Sequence, residues 1–221
     1  MVTHNTDFLR ERNEASTREI LLAVVLPGAL AALGLGIASH APDGGVVFYV
    51  ATFAVAAVYF LTWACFRTSR PLFDTSRLGK DVVRGLVIGM ALLALFLAGA
   101  LLVRFIPFLS EPVHALLDNA RYGALWVTIL TTAINGIGEE VYFRRIAFDR
   151  LPGTWLARAV MSLVLYIAVT AAMGVPLLAL AAIAVGVAAS YEARRTGSLV
   201  SPCVLHLSWS LSMLLILPHL I

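Results

Sequence analysis

Long runs of uncharged, mostly apolar residues are the feature that most limits how this chain can fold. Residues 159–191, for example, contain no Asp, Glu, Lys or Arg over 33 positions. A helix needs about 20 apolar residues to cross the roughly 30 Å hydrocarbon core of a bilayer. Only 13% of the chain is charged and 60% is hydrophobic, which leaves too little polar surface to cover a water-soluble globule. The sequence therefore predicts an all-α, polytopic integral membrane protein.

Seven membrane-spanning helices are predicted from these runs. The run 159–191 is too long for one crossing. It is divided at Gly174-Val175-Pro176, because Gly is conformationally free and Pro disfavours helix in the residue before it. Each of the other runs has the length of one crossing. The predicted spans are 20–39, 44–66, 85–103, 122–138, 155–173, 176–194 and 198–217.

The distribution of basic residues predicts the orientation. With a cytoplasmic N-terminus and seven crossings, the cytoplasmic segments hold 14 of the 16 Lys and Arg residues, and only Arg104 and Arg121 lie outside. We therefore expect a multi-pass protein of the plasma membrane, with the lipid bilayer as its first partner. The net charge of +3 follows from this bias. Since basic and aromatic residues do not interleave, nucleic acid is not an expected partner.

The chain divides into three parts by composition. Residues 1–19 form a polar, cytoplasmic N-terminal tail, and residues 20–110 hold the first three spans with their loops. Residues 111–221 form a helical core that carries the polar motifs described next. No separate water-soluble domain is predicted.

Two adjacent glutamates mark the cytoplasmic end of the fourth predicted span. A carboxylate costs about 2.5–3.5 kcal/mol in mid-membrane and less near the interface, so Glu139 and Glu140 need a reason to be there. One interpretation is structural, since Glu140 and Arg144 have the spacing and order of a helix ion pair that could end the span. The other is that one glutamate faces a wet cavity as a general base. Arg144 or another helix would then hold its neighbour.

His206 is the only histidine well inside a predicted span. At 1.5 Å per residue it lies roughly 10 Å from the cytoplasmic end of the seventh span, and Ser210 follows one turn later on the same face. Because the glutamate pair enters from the same side, His206 and the glutamates could meet inside the bundle. The alternative is a hydrogen-bonded core histidine, although an ionisable residue in a span is a functional candidate by default.

Other polar residues have simpler interpretations. Asn135 and the threonines of the fourth span are typical of hydrogen bonding between helices. Glu192, Arg194 and Arg195 are interpreted as a solvated helix end. The four remaining histidines lie in the tail or in outer segments, too far away to share a metal site with the glutamates.

Two motifs resemble those of a known family. The segment 139–144, Glu-Glu-Val-Tyr-Phe-Arg, is similar to the E-E-x-x-F-R signature of the CPBP intramembrane proteases, the CAAX-protease and bacteriocin-processing group. The segment 197–206 resembles the family's closing motif, in which a Gly-Ser/Thr turn leads into a helix bearing H-x-x-x-N/D. The resemblance covers about residues 120–217. It implies an endopeptidase that cleaves membrane-associated peptides or proteins.

The resemblance also implies roles for individual residues. Glu139 would be the general base that activates water, with Glu140 and Arg144 in support. His206 would help to bind a metal ion or stabilise the oxyanion, and Glu139 and His206 are the candidate ligands of zinc or another divalent metal. The candidate substrate-binding residues are Asn135, Phe143, Thr170 and Ser210.

The chain departs from the family pattern at two positions. The middle motif F-x-x-x-H aligns with 166–170, where Thr170 replaces the histidine, and Ser210 replaces the Asn or Asp of the closing motif. A catalytic zinc normally has three protein ligands and a water. The prediction is therefore an intramembrane endopeptidase that uses glutamate-activated water. The alternative is a catalytically attenuated or inactive pseudoprotease that acts as a membrane scaffold or immunity factor.

A small transporter is a third and weaker hypothesis. Polar residues inside spans and a Gly-Val-Pro break are compatible with it. However, the polar residues lie on one side of the membrane instead of at the midplane, and no inverted repeat is visible in the sequence.

Overall fold

The computed structural model describes residues 15–67 and 70–220, and within these ranges the protein is all-helical without strands. Most of the predicted tail, residues 1–14, lies outside the described residues. The helices, in chain order, are α1 (Thr17–Ser39), α2 (Val46–Phe66), α3 (Leu78–Val103), α4 (Pro107–Tyr122), α5 (Leu125–Val141, continued by Tyr142–Ala147 and Phe148–Arg150), α6 (Trp155–Ala171), α7 (Pro176–Thr196) and α8 (Val200–His219).

Several of these helices are suited to a membrane. In the described ranges, α1, α2, α3, α7 and α8 are long and apolar enough to cross one. Helix α6 is apolar but has only 17 residues, and α5 carries the glutamate pair. The prediction of a polytopic helical membrane protein is confirmed. The count of seven spans and the cytoplasmic N-terminus stay predictions.

The break predicted in the long uncharged run is present. Helix α6 ends at Ala171, and α7 begins at Pro176. Between them Gly174 has φ +71°, in the left-handed region that glycine occupies without strain. The two helices therefore form an antiparallel pair joined by a tight turn.

Two glycines allow α3 and α8 to form the most extensive helix pairing in the described structure. A Cβ on Gly85 would lie 2.7 Å from the carbonyl oxygen of Ser201, and a Cβ on Gly89 would lie 2.7 Å from that of Leu205. The backbones thus approach as closely as small residues permit, which is typical of membrane helix contacts. This contact fixes the position of α8.

Aromatic rings hold the other side of the bundle together. Tyr59 on α2 stacks on Tyr142 with ring centroids 5.0 Å apart, and Phe143 contacts Tyr166 on α6 at 4.8 Å. The Tyr142 hydroxyl donates a hydrogen bond of 2.5 Å to the carbonyl oxygen of Val24 on α1. Tyr142 and Phe143 belong to a π-helical turn, an irregularity often found at functional sites. The end of α5 is therefore fixed between three other helices.

A buried ion pair corrects one expectation from the sequence. Glu192 is fully buried instead of lying on a solvated helix end. Its carboxylate accepts hydrogen bonds from Arg84 Nε at 2.7 and 2.8 Å and from Ser201 Oγ at 2.9 Å. The prediction was wrong for Glu192 because its partners lie on α3 and α8, far away in the sequence. Arg194 and Arg195 are exposed as expected.

Replacing Gly89 by Ala tests the close contact of α3 and α8. The added methyl group overpacks against Leu205 and should lower the free energy of unfolding by about 1–3 kcal/mol. The matched control is Gly99→Ala on the same helix, where a Cβ meets no atom within 4 Å. Thermal unfolding in detergent measures both. Equal midpoints for the two variants would contradict the close contact.

The buried ion pair can be tested with a double-mutant cycle. Glu192→Gln or Arg84→Gln alone should each lower the free energy of unfolding by about 1.5–3 kcal/mol, because a charge loses its partner. The double variant should be little worse than either single variant. Independent, additive losses would show that the two side chains do not interact. Glu111→Gln, on the exposed face of α4, serves as the neutral control.

Candidate active site

The candidate site lies where the end of α5 meets α8. Glu139 and Glu140 are near the end of the regular part of α5, and His206 lies on the second turn of α8. Gly136 lies against α8 at this point, since a Cβ there would be 3.1 Å from Cδ2 of Leu207 and 3.6 Å from Cδ2 of His206. A larger side chain at position 136 would separate the two helices.

His206 lies between the two carboxylates. Its Nδ1 atom is 2.7 Å from Oε1 of Glu140, and its Nε2 atom is 3.7 Å from Oε2 of Glu139. A carboxylate accepts hydrogen bonds, so the imidazole donates its Nδ1–H to Glu140. This bond orients the ring and points Nε2 toward Glu139. The structure thus brings together the three ionisable groups that the sequence places at similar depth.

Arg144 provides the permanent positive charge of the site. Its Nε atom is 3.2 Å from Oε2 of Glu140, an ion pair whose geometry is not aligned for a hydrogen bond. The guanidinium also lies over the ring of Tyr166, 4.5 Å from its centroid. Gly186 on α7 leaves room for it, since a Cβ there would be 3.3 Å from Nη2 of Arg144. The ion pair predicted from the four-residue spacing is present, and it belongs to the site.

The charges of the cluster balance if the imidazole is protonated. Glu139 and Glu140 then carry two negative charges, and Arg144 and His206 carry two positive charges. A cluster without net charge is favoured in a buried location, because an uncompensated buried charge is strongly unfavourable. In this state His206 has an Nε2–H available on the side of Glu139.

Glu139 is the more accessible carboxylate. Its side chain is 18% exposed, whereas that of Glu140 is fully buried. The Tyr166 hydroxyl lies within hydrogen-bonding reach of Glu139. The sequence pattern predicts no role for Tyr166, although its place at the start of the middle motif is a usable signal. A water molecule can reach Glu139 more readily than any other carboxylate of the cluster.

The predicted substrate-binding residues fall into two groups. Asn135 lies one turn before Glu139 on α5, and Ser210 lies one turn after His206 on α8. Each has a buried side-chain oxygen without a partner among the described residues. Asn135 also donates to the carbonyl oxygen of Thr52 at 3.0 Å, which agrees with hydrogen bonding between helices. The amide oxygen of Asn135 can accept a hydrogen bond from a bound peptide, and the hydroxyl of Ser210 can accept or donate one.

Phe143 and Thr170 have different surroundings. Phe143 is buried in the aromatic core between α2 and α6, where a substrate could reach it only by displacing these rings. Thr170 is buried one turn after Tyr166, and its side chain makes no hydrogen bond to a described residue. Neither side chain contacts Glu139 or His206 through a hydrogen bond or ion pair in the described ranges.

The residues present supply an incomplete set of ligands for a catalytic zinc. Glu139 and His206 are two suitable donors, while Glu140 is engaged by His206 and Arg144. The described part of the chain contains no group of three His, Cys, Asp or Glu side chains that could hold a metal ion. A hydroxyl group is a weak third ligand compared with the three protein ligands of catalytic zinc sites. The donor set does not fit zinc.

The connection between α2 and α3 covers one end of the site. The backbone N–H of Leu199 donates to the carbonyl oxygen of Leu72 at 2.9 Å, and Arg145 Nη2 donates to that of Pro71 at 3.0 Å. The Leu72 side chain packs against a cluster that contains Val141 and Cys203. Since Val141 follows Glu140 directly and Cys203 lies one turn before His206, the connection limits access to the site from this end of the bundle.

Comparison with protein families supports the resemblance. Residues 121–212 match the model of the family described as type II CAAX prenyl endopeptidase Rce1-like. The matched range contains both glutamates, Arg144, His206 and Ser210. No curated protein and no solved structure matches the chain.

The match and the motifs agree in location. The family model ends within α8 and begins just before α5, so the first three helices lie outside it. The family is one of proteases, which agrees with the cluster of ionisable side chains between α5 and α8. The match over residues 121–212 thus supports membership of the CPBP family, which the two sequence motifs resemble.

Proposed function

We propose that this protein is an intramembrane endopeptidase that hydrolyses peptide bonds of membrane-associated substrates with water activated by Glu139. The observation that carries the proposal is the alignment of Glu139, His206 and Glu140 across the contact of α5 and α8. In this arrangement Glu139 provides a base, the imidazole of His206 provides a hydrogen-bond donor, and Glu140 orients that donor.

Glu139 takes the role of general base. As the accessible carboxylate of the cluster, it accepts a proton from a water molecule while the water oxygen attacks the carbonyl carbon of the substrate. In this proposal the Tyr166 hydroxyl, which lies close to Glu139, helps to orient it. The attack converts the carbonyl oxygen into an oxyanion.

His206 stabilises this oxyanion. Its Nε2–H faces the same space as Glu139, and the hydrogen bond from Nδ1 to Glu140 keeps the ring in place. Glu140 also offsets the positive charge of the imidazolium, as a carboxylate does for the histidine of hydrolytic triads. When the C–N bond of the intermediate breaks, the leaving amine takes the proton that Glu139 accepted. Glu139 is then ready for another water molecule.

In this proposal Asn135 and Ser210 hold the peptide backbone. Their oxygens have no hydrogen-bond partner among the described residues and lie on the same helices as Glu139 and His206, one turn away. A substrate in extended conformation has unpaired N–H and C=O groups that need such partners in an apolar environment. Because zinc does not fit the donor set, no step of this mechanism uses a metal ion.

The pseudoprotease alternative has one observation in its favour. With Thr170 at the histidine position of the middle motif, the site has fewer ionisable groups than the family pattern implies. In that case the protein would bind a membrane peptide or partner without cleaving it. A partner captured equally by the parent protein and by Glu139→Ala, with no turnover by either, would support this alternative.

Substitution of the general base and of the oxyanion's hydrogen-bond donor tests the proposed reaction. Glu139→Gln and His206→Ala should each reduce kcat/KM by about 10²–10⁴-fold, because each removes proton transfer or oxyanion stabilisation. The measurement is cleavage of a farnesylated peptide with a CAAX terminus, and of the same peptide without the lipid, by purified protein in detergent. Glu111→Gln on α4 is the control carboxylate and should retain full activity. Unchanged cleavage by either site variant would refute these roles.

Removal of divalent metals tests whether a metal ion takes part in activating the water molecule. Since Glu139 acts directly on water in this proposal, cleavage should continue at the same rate after treatment with EDTA. Loss of activity that returns on addition of zinc would contradict a metal-independent reaction. Both samples are compared with a mock-treated sample from the same preparation.

A further inference from the structure

A second charged region lies outside the candidate active site. A cavity of about 800 Å³ opens beside the first turns of α3 and the end of α7 and contains none of the active-site residues. In the predicted orientation it faces the cytoplasmic side of the membrane, at the level of the lipid headgroups. A protein cavity at this level is positioned to take a lipid.

Three basic side chains give the cavity a positive rim. Arg77, Lys80 and Arg195 line it and are exposed, and none forms a salt bridge with a described residue. Arg84 also lines the cavity, but its charge is compensated by Glu192. Three cations so close together favour an anionic group with several oxygen acceptors, such as a phosphate.

A buried carboxylate lies in the same cavity. Asp81 is only 5% exposed, yet no residue in the described ranges donates a hydrogen bond to its side chain or forms an ion pair with it. The carboxylate lines the cavity, so a ligand with an N–H donor would supply the partner that the described residues do not give it. A ligand that satisfies the whole cavity therefore carries both a phosphate and a hydrogen-bonding cation.

An apolar strip continues from the charged end of the cavity. Val83 and Val87 line it and are mostly exposed on α3. Val87 lies about 10 Å further along the helix than Lys80, at 1.5 Å per residue. This strip runs from headgroup level toward the hydrocarbon region, the direction that an acyl chain takes.

We propose that this cavity binds phosphatidylethanolamine. The phosphate contacts Arg77, Lys80 and Arg195, the primary ammonium donates to Asp81, and an acyl chain lies along Val83 and Val87. Phosphatidylglycerol offers the phosphate but no cation for Asp81. Phosphatidylcholine has a cation, but its quaternary ammonium has no N–H to donate. The site is independent of the proposed peptidase reaction.

Lipid binding to the purified full chain tests this proposal. Delipidated protein is titrated with phosphatidylethanolamine, phosphatidylglycerol and phosphatidylcholine of identical acyl chains, with native mass spectrometry and the thermal midpoint as readouts. Phosphatidylethanolamine should bind at least about tenfold more tightly than the other two, because it alone pairs both charged groups. Free phosphoethanolamine, tested in parallel, should bind far more weakly because it lacks the acyl chain.

Two variants assign the preference to the cavity. Asp81→Asn should abolish the preference for phosphatidylethanolamine over phosphatidylglycerol, while Arg195→Gln should weaken the binding of both. Arg104→Gln, at the opposite end of α3, is the matched basic control and should change neither. Equal affinities for the three lipids would overturn the proposal, as would an unchanged preference in Asp81→Asn. Free phosphoethanolamine that binds as tightly as the lipid would instead assign the cavity to a soluble ligand.

Discussion

The hydrogen bond between His206 and Glu140 is the interaction on which the candidate site depends. It joins α8 to the end of α5 in the buried interior, with a distance of 2.7 Å. In an environment of low dielectric constant, such a charge-assisted bond is strong when satisfied and unfavourable when one partner is missing. It determines which ring nitrogen faces Glu139 and leaves that carboxylate as the accessible one. The orientation of the His206 ring toward Glu139 follows from this bond.

The rest of the bundle holds these two helices in place. On one side, the glycine contact at Gly85 and Gly89 sets α8 against α3. On the other, the aromatic rings around Tyr142 fix the end of α5 between α1, α2 and α6. Rigid helices on both sides are what a site needs if its polar groups are to stay within reach of each other. The same π-helical turn that carries Tyr142 also carries Arg144, so packing and charge compensation come from one short segment.

Much of this arrangement could be predicted from the sequence, because it follows from local patterns. Uncharged runs indicate helices that suit a membrane, and a Gly-Val-Pro break indicates a turn. Similar depth from one membrane face was enough to suggest that His206 and the glutamates meet. The environment of Glu192 could not be predicted, since its partner Arg84 is 108 residues away and no periodic pattern connects them. Likewise, the burial of Phe143 depends on rings from two other helices, which the motif alone does not show.

The central claim is that Glu140 and His206 act as one unit in the reaction, with Glu140 working only through His206. The most direct measurement is kcat/KM for the parent, Glu140→Gln, His206→Ala and the double variant, all with the same membrane peptide. If the claim holds, each single variant loses activity and the double variant is no slower than His206→Ala. If the two losses multiply in the double variant, the residues act independently and the account is contradicted.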